Sequence, residues 1–386
     1  MKSFLITFFI ISALLSVSCS NKKNPHIKSI DGITHVYNTN IASSGIITPE
    51  LELVKEIDSQ AVTTESEAFF DDVAQDSRNN FFILDGKASK IYKFNPEGNF
   101  EKTFLQKGEG PAEIRKPVLT FKVSGNNVWA SSVTEFCRFD TNGNFLEKKC
   151  FKRQYGLLEH VDEKRFITCY DSYNEGKKTG SVCVLMDTQE NLLTELYKNK
   201  KPDIGYSILN VQGTKFVFVS STSPRIGYSY NSLNNLIYCY YNFDYSIMVI
   251  GLDGKMQKVI HKEHQPMKLK EQEIERLAKG FKQMGWPPYY VDAYKRTPPE
   301  KYLPVIRKIY LLPNNYLGVV RCIDLDTDEL DIFDSEGRFT YILKTSKNIP
   351  DLTGVYFFKN SIGVIIHEDE REVFIEYKIK NLPKIY

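Results

Sequence analysis

The chain has 386 residues, 42% hydrophobic and 25% charged, with 50 lysines and arginines against 48 aspartates and glutamates. A formal charge of +2 leaves no excess field to capture nucleic acid or an anionic membrane surface, and the apolar content excludes wholesale disorder. Tyr (23) and Phe (25) far outnumber Trp (2), which favours a strand-rich body built of pleated, half-buried surfaces.

Lys2 precedes an apolar run from Phe4 to Leu15, followed by Ser16-Val17-Ser18-Cys19. This reads as a secretory signal over residues 1–18, too short to span a bilayer. Cys19 directly after Ser18 resembles a bacterial lipoprotein signal, in which that cysteine is lipidated and becomes the new N-terminus, although Ser16 stands where Leu is commonest. Residues 19–46 then form the lipidated N-terminus and a tether. Ser20-Asn21-Lys22-Lys23-Asn24 lacks the acidic residues of surface-export tags, which points to a periplasm-facing protein of the cell envelope. No later stretch is apolar enough to cross a membrane, so the lipid is the expected anchor.

The other cysteines are Cys137, Cys150, Cys169, Cys183, Cys239 and Cys322, with no C-x-x-C pair to suggest zinc or a thioredoxin-like motif. A hairpin turning at Asp140-Thr141-Asn142-Gly143 would set Cys137 opposite about Leu146, too far from Cys150 to bond. Cys169 and Cys183 are symmetric about Gly176 and suit cross-strand neighbours. Buried thiols are the expected state for most of them.

Residues 47–386 are organised by a repeat: an alternating apolar strand, an Asx-x-x-Gly-like turn and a second strand. Its copies are Ile91–Phe100, Phe136–Phe145, Val184–Leu192, Met248–Met256 and Leu330–Phe339. Asn or Asp bonds its own backbone two residues on, and Gly accepts the positive φ that closes the hairpin. In the third copy Glu190 stands in the glycine position, so the turn is expected to shift onto Asn191. Gly98, Gly143 and Glu190 are spaced as single four-stranded propeller blades, whereas the longer steps to Gly254 and Gly337 imply insertions. A strand such as Lys215–Val219 should precede the fourth hairpin. The last blade, built from 355–358, 363–366 and 373–377, is one strand short. Leu51–Ile57 can complete it and close the ring. The expected fold is therefore an all-β, six-bladed β-propeller closed by an N-terminal strand, with a short helical insertion.

With these residues in view, the chain resembles the NHL-like six-bladed β-propeller lipoproteins of Bacteroides-type bacteria. The likeness is strongest from Ile83-Leu84-Asp85 through Ile91-Tyr92-Lys93-Phe94 and Gly98-Asn99-Phe100 to Lys107-Gly108-Glu109-Gly110-Pro111-Ala112-Glu113. Leu303-Pro304-Val305-Ile306, leading into Tyr316-Leu317-Gly318-Val319, is a second match. The resemblance implies fold and export, and carries no catalytic residue across.

Gly108-Glu109-Gly110-Pro111 lacks the Lys-Ser/Thr end of a phosphate loop and reads as a blade-to-blade turn. His261-Lys262-Glu263-His264 offers two imidazoles but too few ligands for a metal site, and Asp324–Glu329 reads as a solvated loop rather than a calcium loop. No cofactor is expected. The insertion at about 262–304 places Ile274, Leu277, Ala278, Phe281 and Met284 on one helical face, ending at Gly285-Trp286-Pro287-Pro288-Tyr289-Tyr290. As a cap over one propeller face it would offer Trp286, Tyr289 and Tyr290 to a ligand, with Tyr228 and Tyr230 near the other insertion sharing that surface. The expected function is a ligand- or protein-binding module without covalent chemistry, its partner a carbohydrate, a peptide or an envelope protein. The alternative is a propeller lyase or hydrolase acting in the central channel.

Overall fold

The computed structural model describes residues 25–62, 68–174, 177–199, 207–211, 214–218, 225–283, 286–296, 302–346, 349, 351–359, 361–368 and 371–382. Cys19 and the signal segment lie outside them. Six antiparallel blades form a ring: residues 72–104, 120–150, 158–199, 226–262, 306–344 and, for the sixth, 355–379 completed by Leu51–Asp58. The N-terminal strand pairs antiparallel with Arg371–Ile379, setting Ile57 opposite Phe374, so the expected closure is present. The first strands of blades one and two, two and three, and four and five touch one another, which places them around the central channel.

Apolar residues alternate on both faces of the blades and meet across blade boundaries. Among the described residues six such clusters occur, one at each boundary of the ring. Phe82, Phe104 and Phe139 fill the first-to-second boundary, for example, and Phe70, Phe81 and Phe374 fill the sixth-to-first. The aromatic excess is thus mostly blade core, where large rings span the gap between two twisted sheets.

Each repeated hairpin uses one geometry. Phe94 pairs with Phe100, Phe139 with Phe145, Met186 with Leu192, Ile250 with Met256 and Phe333 with Phe339, and a one-residue bulge follows in every case. That bulge corrects the expected register of the second hairpin: Cys137 faces Lys148, and Cys150 faces Glu135. Nor does the third turn shift onto Asn191. Glu190 itself adopts φ 69°, and its carboxylate accepts hydrogen bonds from the Lys152 amide at 2.7 Å and the Tyr155 hydroxyl at 2.9 Å. These bonds offset the cost of a left-handed backbone at a residue with a Cβ. In the fifth hairpin Gly337 has φ 82°, and a Cβ there would meet Ile260 Cγ1 at 2.8 Å, so only glycine fits.

Three differences from expectation concern the insertions and the N-terminus. Thr214–Phe218 pairs with Ser207–Val211 as a separate hairpin, and the inner strands of blade four are instead Ile226–Asn231 and Leu236–Tyr241. Both candidate segments are apolar and aromatic, so composition alone could not choose between them. His26–Ile30 and Ile33–Asn38, within the expected tether, form a hairpin that extends blade four to six strands, and Gly45–Ile47 adds to blade five. The insertion holds two helices rather than one, α1 (Glu271–Gln283) and α2 (Pro288–Arg296). Pro288 begins α2 at a position where its missing N–H has no intrahelical partner to lose.

Candidate functional site

In this topology the links from an outermost strand to the next blade leave on one face of the ring, together with the turns between second and third strands. The helical insertion follows Met256–Lys262, the fourth strand of blade four, so it stands on that face. The expected apolar stripe buries Ala278 and packs Ile274, Leu277 and Phe281 against Val291 and Tyr294 of α2, rather than against the ring. An Arg276–Asp326 ion pair ties α1 to a blade-five turn on the same face, and α2 touches Ser207–Val211 of the other insertion.

At the root of this insertion lies a cavity of about 260 Å³. Asn40, Glu263, His264, Gln265 and Arg321 give it polar walls, and Met267, Leu303 and Pro304 give it an apolar side. Strand alternation divides the His261-Lys262-Glu263-His264 motif between two places. His261 turns toward the N-terminal hairpin, with Nε2 3.0 Å from His35 Nδ1, Nδ1 3.0 Å from the Ser246 hydroxyl, and its ring stacked on Tyr37. Burial, with the neighbouring imidazole second, holds the His261 pKa down. His264 lines the cavity. The two imidazoles therefore do not converge, and among the described residues no group of three His, Cys, Asp or Glu is arranged to hold a metal ion.

Lys262 forms the cavity floor. Its Nζ donates to Asp331 Oδ2 at 2.7 Å in an almost fully buried pair. The same oxygen accepts from Arg321 Nε at 3.0 Å and from the Tyr245 hydroxyl, while Asp331 Oδ1 has no hydrogen-bond partner among the described residues. Burial lowers the Lys262 pKa even against this carboxylate. Charge concentrated on one side of a carboxylate, beside a cavity, fixes a local field rather than a relaxed ion pair.

The channel holds a second polar group. Asp72 begins the innermost strand of blade one, and its pKa is pushed up to about 6 by burial, against the opposing charge of Lys308. Burial lowers Lys308 in turn; its Nζ donates to the Thr353 carbonyl at 3.0 Å and sits 4.7 Å from the Tyr310 ring centroid. Tyr356 donates to the Asp71 carbonyl at 3.1 Å, and burial raises its phenol. On the opposite arc, Lys122 of blade two pairs with Glu159 of blade three and approaches the Tyr230 ring at 5.1 Å.

The residues singled out in the sequence do not assemble into one site. Trp286 packs on Phe281 inside the helical hairpin, with ring centroids 5.5 Å apart, and Tyr289 is half-exposed on α2. The Tyr290 side chain lies outside the described residues. Tyr228 and Tyr230 belong to the channel-lining strand of blade four, not to an insertion; Tyr228 donates to the Leu157 carbonyl at 2.5 Å. Asp72, Lys308, Arg321 and Asp331 escaped notice because each sits in an ordinary alternating strand. Their chemistry comes from neighbours that the ring brings together.

The architecture defines a six-bladed β-propeller. A Bacteroides fragilis protein described as exported is similar over 90% of this chain and 100% of its own, with 15% identity and a TM-score of 0.52. A Bacteroides vulgatus member of the DUF4221 family is similar over 87% of this chain and 100% of its own, with 12% identity and a TM-score of 0.51. Virginiamycin B lyase from Staphylococcus aureus shares 11% identity at a TM-score of 0.43, over 84% and 99% of the two chains. Likeness at these identities extends to the fold alone. No protein-family model matches the chain, and no curated protein matches it.

Proposed function

We propose that this protein is an exported, lipid-anchored propeller of the NHL-like kind that binds a small polar ligand beneath its helical insertion. The cavity between that insertion and blades four and five carries the reading: a carboxylate, an imidazole, a guanidinium and two amides around about 260 Å³. Such walls suit a polyol that both donates and accepts hydrogen bonds. The volume lies below the roughly 300 Å³ at which drug-sized pockets begin, which favours a single sugar unit over a longer chain. The apolar side supplied by Met267 and Leu303 suits the C–H face of a sugar ring. Export and lipidation rest on the signal-like segment and Cys19, with the lipid facing the periplasm. Among the described residues no helix is long and apolar enough to cross a membrane.

Titration calorimetry of the folded chain against a panel of neutral monosaccharides and uronic acids tests the reading. Glu263→Ala and Gln265→Ala, both at exposed positions, should weaken binding of any positive ligand about tenfold or more, the loss expected for a hydrogen bond involving a charged partner. Absence of binding across the panel, or unchanged affinity in both variants, would sink it.

A second reading is favoured by the channel pair. A carboxyl raised toward neutrality beside a lysine lowered from its usual value suits proton abstraction, as a lyase requires. In that case Asp72→Asn would abolish product formation, followed by mass spectrometry of envelope glycans, while leaving ligand affinity intact.

A further inference from the structure

Blade three sets Cys169 and Cys183 directly opposite each other on adjacent antiparallel strands. Blade four brings Cys239, whose Sγ lies 4.0 Å from that of Cys183. All three belong to the apolar core between these blades, and no disulfide joins them. Opposed residues of an antiparallel pair have Cα atoms about 4.5–5.5 Å apart, inside the window that a disulfide accepts. The remaining thiols are occupied elsewhere. Cys137 approaches the Glu113 carbonyl, Cys322 lies beside Arg307, and exposed Cys150 lies beside Glu135.

We propose that Cys169, Cys183 and Cys239 form a thiol–disulfide site in which an external disulfide oxidises Cys169 and Cys183 to a cross-strand bond. The proposal rests on the exported reading only for the compartment in which that oxidant is met. Cys169 is half-buried, whereas Cys183 and Cys239 are fully buried, so Cys169 is the thiol an external reagent reaches first. Its thiolate attacks one sulfur of R–S–S–R, expels RS⁻ and becomes a mixed disulfide. Cys183 then gives up its proton and attacks the Cys169 sulfur, expelling the second RS⁻. Two protein thiols are oxidised, one external disulfide is reduced to two thiols, and the two protons pass to the leaving thiolates. Burial raises the Cys183 thiol well above its usual value, so the second step is slow in the folded ring. Cys239 is placed to attack Cys183 in turn. That exchange releases Cys169 and joins blade three covalently to blade four.

The test treats the folded full-length chain with glutathione disulfide, alkylates it, digests it without reduction and maps linked peptides by mass. The expected product links Cys169 to Cys183, with a melting temperature several degrees above that of the reduced protein. Cys169→Ser should slow oxidation at least tenfold and divert the bond to Cys183–Cys239, and Cys183→Ser should abolish every bond within the trio. Should Cys183 join neither partner in the wild type, even when oxidised during refolding, or should glutathione adducts at Cys150 be the sole product, the proposal is overturned. Thiols found reduced in protein trapped directly in whole cells, together with the linked peptide in the purified chain, would support the site and count against export instead.

Discussion

His160 shows how one buried residue sets the response to acid. It is 3% exposed, hydrogen-bonds the Ser131 hydroxyl through Nε2 at 2.9 Å and stacks on Trp129. Burial, reinforced by Lys122 and Arg138, holds its pKa down to about 3. An unfolded chain protonates this side chain near 6.5, so its contribution is present above that pH and lost as pH falls. Asp72 and Asp328 act in the other sense, because burial pushes both up to about 6. Each holds a proton in the fold that the unfolded chain has shed, so its contribution is present at low pH and lost as pH rises from about 4 to 6. At about 1.4 kcal/mol per pH unit for a one-proton difference, His160 is worth roughly 5 kcal/mol and each aspartate at most about 3. Near pH 5 the slope from His160 offsets that of about one of the two aspartates. Chemical denaturation from pH 4 to 7 should therefore show a steeper loss on acidification in Asp72→Asn, and a shallower one in His160→Gln, than in the wild type.

Asn38 is a second decisive residue. Its amide donates to the His261 and Gly337 carbonyls, each at 3.0 Å, and its oxygen accepts from the Phe339 amide at 2.8 Å. One side chain thus joins the N-terminal hairpin to blades four and five. Asn38→Ala removes three hydrogen bonds to backbone groups, two of them buried, and should cost roughly 2–4 kcal/mol, measurable as a lower denaturation midpoint.

At the scale of elements, much was legible because the hairpin spells out its own turn. Asn or Asp at the first turn position in four copies, and Gly at the fourth in four, gave the blade-length spacing, and the missing sixth strand pointed to Leu51–Ile57. The bulge after each turn was not legible, since alternation looks the same on either side of one extra residue. Glu190 misled for a related reason: its backbone strain is relieved by Tyr155 and the Lys152 amide, which belong to a neighbouring link. The second helix was obscured by prolines that end one helix and begin the next. The first strand of the N-terminal hairpin, His26–Ile30, is exposed throughout and so has no buried apolar face to betray it. Because the helical hairpin packs largely on itself, replacing residues 269–301 with a short Gly-Ser linker should leave the ring folded while opening the cavity. The Lys268–Tyr302 bridge would remain to close the loop. Far-ultraviolet circular dichroism and a melting temperature within a few degrees of the wild type would bear this out; collapse of the ring would refute it.

For the whole molecule, an apolar cluster at each of six blade boundaries closes one ring, and the sites proposed for binding and catalysis lie at its insertion and channel. The candidate cavity could not be read from the sequence, because its walls come from residue 40, residues 262–265 and 267, residues 303–305 and residues 321–322. Only ring closure gathers them. Anchoring belongs at this scale too. Cys19→Ala should move the protein from the membrane fraction to the soluble fraction of the envelope, and unchanged fractionation would end the lipoprotein reading.

The N-terminal segment visits blade four, then blade five, then blade six before the first blade begins. Asn38 bonds a carbonyl 223 positions away, and Arg371 pairs with Asp58 across 313 positions. Contacts of such sequence separation form late and slowly, because a long loop must close before any of them is rewarded. During synthesis the N-terminal hairpin, Gly45–Ile47 and Leu51–Asp58 emerge before the strands of blades four, five and six that they join. The ring therefore completes only after nearly the whole chain has appeared, leaving exposed strand edges in the meantime. A chain crossing a membrane from its N-terminus would be held in that open form, with final assembly deferred to the far side.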